Sequence, residues 1–174
     1  VIQLLPPLSV QLPSGFLVAT ERIPAASEPA LASVRPKANC RSDWRRDSMK
    51  LGIIGLDSSH AVQFSRILNG EREPFHIGGH PVTVAYPGPV SQDFNMSRDR
   101  LENFTREVAG DWGVKLYSSI AEVMKNSDAV FLEQVDARRR LEQFQEMVCF
   151  GKPIHVDKPF ALNTADCREM LKLA

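Results

Sequence analysis

Five short apolar runs, separated by segments with helical periodicity, constrain the fold of this chain more than any other feature. The runs predict strands over residues 50–54, 82–86, 114–117, 129–132 and 154–156. Between them, apolar side chains recur at helical spacing over residues 60–68, 97–108, 119–124 and 138–150. Strands that alternate with helices at this spacing form parallel sheets with right-handed crossovers. The chain therefore has the pattern of an α/β protein with a Rossmann-like, doubly wound parallel sheet.

Small polar residues and glycine mark where the predicted helices begin and end. Ser97 is the expected N-cap of the second helix, Ser118 or Ser119 that of the third, and Thr164 that of a last helix near the end of the chain. Gly151 is expected to stop the helix over residues 138–150. Cys149, next to that stop, is expected to be buried in the packing of the helix.

Residues 1–48 have a different character from the rest of the chain. They hold six of its twelve prolines and show no sustained helical or strand period. We expect a disordered extension, translated from upstream of a natural start at Met49, because such a composition does not repay the entropy of ordering. A targeting or partner-binding tail is the alternative. Residues 49–174 are expected to form the folded domain.

Charge and cysteine content exclude several classes of function. The chain carries 21 basic and 21 acidic residues, so its formal net charge of zero does not favour a nucleic acid as its main partner. No apolar run approaches the roughly 20 residues that a membrane span requires. The three cysteines, Cys40, Cys149 and Cys167, lie far apart and have no metal-binding spacing. Reduced thiols in the cytoplasm are expected, and no metal site is predicted.

The turn after the first strand resembles part of a phosphate-binding loop. Gly55 stands at the first glycine position of the dinucleotide fingerprint, whereas Asp57 and His60 stand at the second and third. A helix start offers unpaired N–H groups to anions. The candidate cofactor-binding residues here are Gly55, Leu56, Asp57, Ser58, Ser59 and His60.

A downstream segment resembles the glucose–fructose oxidoreductase and inositol dehydrogenase family (Gfo/Idh/MocA). Residues 151–161, Gly-Lys-Pro-Ile-His-Val-Asp-Lys-Pro-Phe-Ala, are similar to that family's glycine-lysine, strand and Glu-Lys-Pro signature. The resemblance covers about residues 49–174 and implies binding of NAD or NADP. It assigns the motif lysine, beside the nicotinamide and the reacting hydroxyl, to Lys158, with Asp157 in place of the usual glutamate. Asp157, Lys158 and Pro159 join the candidate cofactor site, and Lys158 is the candidate catalytic residue.

The sequence departs from the family pattern at several positions. Asp57 is expected either to repel a pyrophosphate or to cap the following helix. Strand two ends in Tyr-Pro-Gly rather than in the acid that usually holds the adenine ribose. Arg98 is either a contact for a 2′-phosphate or a solvated residue at a helix start. His60 meets a phosphate or substrate, or only caps or packs.

Two further departures concern the histidines and the turn after strand four. His76 and His80 share an i, i+4 spacing, but the glycines between them argue against a helix and hence against a zinc pair. The turn after strand four reads Val-Asp-Ala-Arg-Arg-Arg over residues 135–140, where the family usually has a Thr-Pro-Asn-like turn followed by a histidine.

Length is the last departure, because family members add a second α+β domain that supplies the substrate pocket. We expect an incomplete Gfo/Idh/MocA-like oxidoreductase for sugar-like or cyclitol hydroxyls, with a small-molecule cofactor as its partner. By itself the chain is expected to bind NAD(H) weakly, to show no turnover and not to oligomerise. The alternatives are a non-catalytic Rossmann-fold binding module that has lost cofactor affinity and a protein-interaction module.

Overall fold

Five parallel strands form one sheet in the computed structural model, which describes residues 48–174. The predicted extension over residues 1–48 lies outside the described residues except for its last residue. The strands are β1 (Leu51–Ile54), β2 (Val82–Tyr86), β3 (Lys115–Leu116), β4 (Ala129–Leu132) and β5 (Ile154–Val156). Their spatial order is β3-β2-β1-β4-β5, and every neighbouring pair is parallel. The predicted parallel α/β sheet is therefore confirmed, with its change of winding direction between β1 and β4.

In residues 48–174, five helices lie between the strands and a sixth follows β5. They are α1 (Ser59–Asn69), α2 (Asn95–Arg98), α3 (Leu101–Gly110), α4 (Ile120–Asn126), α5 (Arg140–Val148) and α6 (Thr164–Leu173), and a single 3-10 turn covers Ala137–Arg139. Among residues 48–174, none of these helices has the length and apolar character needed to cross a membrane.

The core lies on both faces of the sheet, and the central strand β1 is buried at all four of its residues. On one face, Ile53 and Val82 pack with Val62 of α1 and Val108 of α3. On the other face, a second cluster contains Ile54, Val84, Val130, Val123, Met124 and Met147, the last three from α4 and α5. Helices on both faces define a doubly wound sheet, as the sequence predicts.

Side-chain caps explain where several helices begin. Ser119 accepts a hydrogen bond from the N–H of Glu122, which confirms it as the N-cap of α4. Asn163, and not Thr164, caps α6 by accepting from the N–H of Asp166. Thr164 is instead the first residue of that helix.

Two predicted helices are divided in the structure. The segment expected to be one helix from Ser97 forms α2 and α3, and the expectation that Ser97 caps it is wrong. Ser97 is fully buried, and its hydroxyl accepts from the N–H of Ser91, so a tertiary contact takes the group that a cap would use. The segment from residue 138 begins as the 3-10 turn before α5. Cys149 follows α5 and is exposed, which corrects the expectation that it is buried.

Candidate functional site

The tight turn after β1 depends on Gly55. Its φ is +88°, and a Cβ at this position would lie 2.3 Å from the backbone nitrogen of Gln134. Only glycine fits such a position without strain. Gly55 is therefore required by the close approach of the chain that follows β4, which agrees with the first fingerprint glycine serving the tightness of the turn.

The remaining residues of the turn divide into buried and accessible ones. Leu56 belongs to the core, and Ser58 caps α1 by accepting a hydrogen bond of 3.1 Å from the N–H of His60. Ser59, the first residue of α1, is exposed. Ser59 is therefore the side chain of this turn that faces solvent at the start of the helix.

Asp57 does neither of the two things that the sequence suggests. Its side chain is fully buried and accepts hydrogen bonds from Nε2 of Gln134 at 2.6 Å and from the N–H of Val135 at 3.0 Å. Ser58 caps α1 in its place. Because the carboxyl group is directed into the fold toward the segment after β4, the predicted repulsion of a pyrophosphate loses its geometric basis. Burial raises the pKa of Asp57, against hydrogen bonds from Ser97, Val135 and Gln134 that lower it.

We expect replacement of Asp57 by alanine to destabilise the domain by about 2–4 kcal/mol, because the Gln134 amide and the Val135 N–H lose their acceptor inside the fold. Asp57→Asn keeps one carbonyl oxygen and should cost less. Urea unfolding followed by circular dichroism measures both. An Asp57→Gly protein that is as stable as the parent and binds NADH more tightly would contradict this structural role and restore the repulsion hypothesis.

The ends of β1, β4 and β5 bring three ionisable side chains together. Nδ1 of His60 lies 2.8 Å from Oδ2 of Asp157 and 3.8 Å from Oε2 of Glu133. One atom from each of these three side chains lies within 4.8 Å of the other two. The first turn and the Asp-Lys-Pro segment thus share one edge of the sheet.

Glu133 is the most perturbed acid of this cluster. Its side chain is 0% exposed, and neither of its oxygens has a hydrogen-bond partner among residues 48–174 when both nearby acids are ionised. Burial, with the neighbouring charge of Asp157, raises the pKa of Glu133 to about 8. Once protonated, Glu133 is able to donate to the carboxylate of Asp157. At neutral pH the pair therefore holds one proton at the edge of the sheet.

Asp157 behaves in the opposite way. Burial by itself would raise its pKa, but hydrogen bonds from the backbone N–H of Lys158 and from His60 outweigh that effect and hold the pKa below its usual range. The two carboxyl groups are thus separated into an acid that stays protonated near neutral pH and a carboxylate that stays ionised. Such a division is the usual basis of acid–base roles in an active site.

A buried arginine lies behind the cluster. The side chain of Arg140 is 1% exposed and donates to the carbonyl oxygens of Leu132 and Gln134, each at 2.8 Å. Its charge interacts favourably with Glu133 and Asp157. Arg140 therefore fixes the turn after β4 and compensates part of the negative charge that gathers there.

Lys158 and Pro159 are both exposed at the end of β5. The charge of Lys158 lowers the pKa of both Glu133 and Asp157, so its ammonium group acts on the same cluster. The structure therefore brings Lys158 to the same edge as the turn over residues 55–60.

Several other sequence candidates lie elsewhere. Arg98 is a surface residue that donates to Gln92, Asn95 and Asp99, in line with a solvated role. His76 bonds the carbonyl oxygen of Ile67 and His80 accepts from the N–H of Met49, so these histidines serve separate local contacts.

Sequence reasoning missed the roles of Glu133, Gln134 and Arg140. The strand-end rule indicates residues 133–136 as a segment, but it gives no reason to choose an acid that is buried without a partner. The only signal in the sequence is the occurrence of Glu and Gln directly after the apolar run 129–132, where a buried strand of this kind normally continues into a loop.

The fold is similar to that of solved oxidoreductases. An oxidoreductase from Agrobacterium radiobacter, solved with NAD+, L-tartaric acid and magnesium, matches with a TM-score of 0.53 and 16% identity over 72% of this chain and 32% of its own. An apo scyllo-inositol dehydrogenase from Lactobacillus casei matches with a TM-score of 0.52 and 16% identity, over 73% of this chain and 33% of its own. A dehydrogenase from Clostridium difficile matches with a TM-score of 0.51 and 21% identity, over 72% of this chain and 35% of its own.

These similarities concern the fold. No protein-family model matches the chain, and no curated protein sequence matches it. The chain spans about a third of the length of the solved structures. The Rossmann-like fold that the resemblance in the sequence implies is therefore shared with these solved oxidoreductases, and the role of the Asp-Lys-Pro segment stays a prediction.

Proposed function

We propose that residues 49–174 bind NAD or NADP at the carboxyl ends of the strands, as the dinucleotide-binding domain of an oxidoreductase for sugar-like or cyclitol hydroxyls. The observation that carries this proposal is the 2.8 Å contact between His60 and Asp157, which joins the turn after β1 to the Asp-Lys-Pro segment in one site. Parallel sheets of this class bind their ligands at the point where the winding direction changes, here between β1 and β4.

The residues of the turn fit a dinucleotide. Gly55 makes the turn tight, and the exposed Ser59 stands at the start of an eleven-residue helix, whose N-terminal N–H groups favour a pyrophosphate. Asp57 occupies the position of the second fingerprint glycine, but its carboxyl group is bonded inside the fold. The substitution therefore leaves the outer side of the turn accessible to a phosphate.

When bound, the nicotinamide cofactor accepts or donates the hydride. Lys158, exposed at the end of β5, is proposed to donate a hydrogen bond to the substrate hydroxyl and to stabilise the negative charge that develops on its oxygen. Asp157, hydrogen-bonded to His60, is proposed to accept the proton that leaves this oxygen, because Glu133 already carries a proton near neutral pH. The whole reaction further requires a group that positions the substrate over the cofactor.

We expect NADH to bind saturably to the chain and the variant Ser59→Glu to bind it at least about ten-fold more weakly, corresponding to 1.4 kcal/mol. The added carboxylate would stand at the helix start where the pyrophosphate is proposed to lie. NADH fluorescence and calorimetry measure the affinity. Gln145→Glu is the matched control, since it adds the same charge at an exposed position of α5.

Each result decides the proposal. Weaker binding in Ser59→Glu and unchanged binding in Gln145→Glu support the site. An absence of saturable NADH binding, or equal affinities in all three proteins, would overturn it and favour a binding or interaction module without a dinucleotide.

A further inference from the structure

The side chains of His60, Glu133 and Asp157 form a compact set of donors that the hydride-transfer proposal does not require as a set. One donor atom from each lies within 4.8 Å of the others. Nitrogen and oxygen ligands of a first-row metal ion lie about 2.0–2.2 Å from it, which separates ligand atoms from each other by roughly 3–3.5 Å. Small rotations of these side chains therefore suffice to surround one ion.

The burial of Glu133 is an independent indication of a ligand. Its side chain is 0% exposed, and among residues 48–174 its two oxygens lack hydrogen-bond partners. Two imidazoles stand close to it, at 3.8 Å (His60) and 3.9 Å (His155), but both are beyond hydrogen-bonding distance. A cation between Glu133 and Asp157 would take the place of the proton that the pair otherwise holds and would give the buried oxygens of Glu133 a partner.

The backbone holds the three donors in place. The N–H of Glu133 donates to the carbonyl oxygen of Ile54 at 2.7 Å, and the N–H of Asp157 donates to that of Leu132 at 3.1 Å. His60 lies in the first turn of α1, which Ser58 caps. The donors thus come from three elements that the sheet fixes relative to one another, so little ordering is needed on binding.

We propose that His60, Glu133 and Asp157 bind a divalent first-row transition-metal cation. One imidazole and two carboxylates suit Mn²⁺, Fe²⁺ or Zn²⁺ better than Mg²⁺ or Ca²⁺, which prefer oxygen ligands alone. The positive charges nearby do not occupy the same place, because Arg140 is bonded to two carbonyl oxygens and Lys158 is exposed. The site shares His60 and Asp157 with the proposed function, but binding of the ion needs no nucleotide, so the two proposals are tested separately.

Calorimetric titration of the full chain with MnCl₂, after removal of metals with EDTA and in the absence of nucleotide, tests this site. Mn²⁺ is the probe because it prefers oxygen and nitrogen donors to the thiolates of exposed Cys149 and half-buried Cys167. We expect one Mn²⁺ per chain, with affinity reduced at least ten-fold in Glu133→Gln and in His60→Gln. His76→Gln is the control, because His76 bonds only a local carbonyl oxygen and lies outside the donor set.

Thermal unfolding with and without Mn²⁺ gives a second measurement. The ion should raise the melting temperature of the parent chain and of His76→Gln, and should leave that of His60→Gln nearly unchanged. His60 is 39% exposed, so its replacement keeps the test available if Glu133→Gln fails to fold. Equal Mn²⁺ affinity in the parent chain and His60→Gln, or an affinity that depends on His76, would overturn the proposal. A negative result would leave NADH binding, measured separately, unaffected.

Discussion

Replacing Gly55 with alanine is expected to lower the free energy of unfolding by about 2–5 kcal/mol, the largest effect of any substitution considered. The φ of +88° costs an L-residue about 1–2 kcal/mol. The added Cβ would also lie 2.3 Å from the backbone nitrogen of Gln134, and backbone is unable to move away as a flexible side chain does. Overpacking of this kind typically costs a further 1–3 kcal/mol. Urea unfolding followed by circular dichroism measures the change.

Gly113→Ala separates the two causes. Gly113 also has a positive φ, +66°, but an added Cβ would meet no atom within 4 Å. It should therefore lose only the conformational part, about 1–2 kcal/mol. Equal losses in the two variants would show that the contact between Gly55 and the segment after β4 has no energetic weight.

The variant Glu133→Gln is expected to gain stability relative to the parent chain as the pH rises. Burial raises the pKa of Glu133 from 4.5 to about 8 in the folded state, so folding favours the protonated acid. The stability that comes from this proton is fully present below pH 4.5 and is lost as the pH rises through 8. Glutamine does not titrate, so its advantage over the parent should grow by on the order of 3 kcal/mol between pH 5 and pH 8.5.

Urea unfolding of both proteins at pH 5 and pH 8.5, in EDTA, measures this difference. The pKa of Asp157 is lowered, so its own contribution is lost only below the chosen window and does not enter the comparison. Glu146→Gln, at an exposed position of α5, is the control and should follow the parent at both pH values. A difference between Glu133→Gln and the parent that does not change with pH would contradict the burial of a protonated acid.

Much of the fold follows from local patterns. Strands β2, β4 and β5 have the bounds that their apolar runs predict, because a proline or an acidic residue stands on each side of every one of these runs. A cap at Ser118 or Ser119 was also predictable, because a serine before a helical period satisfies an N–H of the first turn by itself, and the structure decides for Ser119. The common edge of residues 55–60 and 157–158 follows from the geometry of parallel sheets, and the His60–Asp157 contact agrees with it.

The roles of particular polar side chains were decided by tertiary structure alone. Asp57 has its partners 77 and 78 residues away in the chain, at Gln134 and Val135, and no local spacing points to them. The hydroxyl of Ser97 accepts a hydrogen bond from the N–H of Ser91 and does not cap a helix, and the segment expected as one helix forms α2 and α3.

The environment of Glu133 is the clearest case. Its position after β4 was visible in the sequence, but its burial and its lack of a partner depend on how His60 and Asp157 converge around it from α1 and β5. Hydrophobic periodicity is a short-range property, so the sequence by itself determined the elements and the order in which they alternate. The free energy of a buried charge depends on every group within a few ångströms, so only the packed structure determined which acid retains a proton.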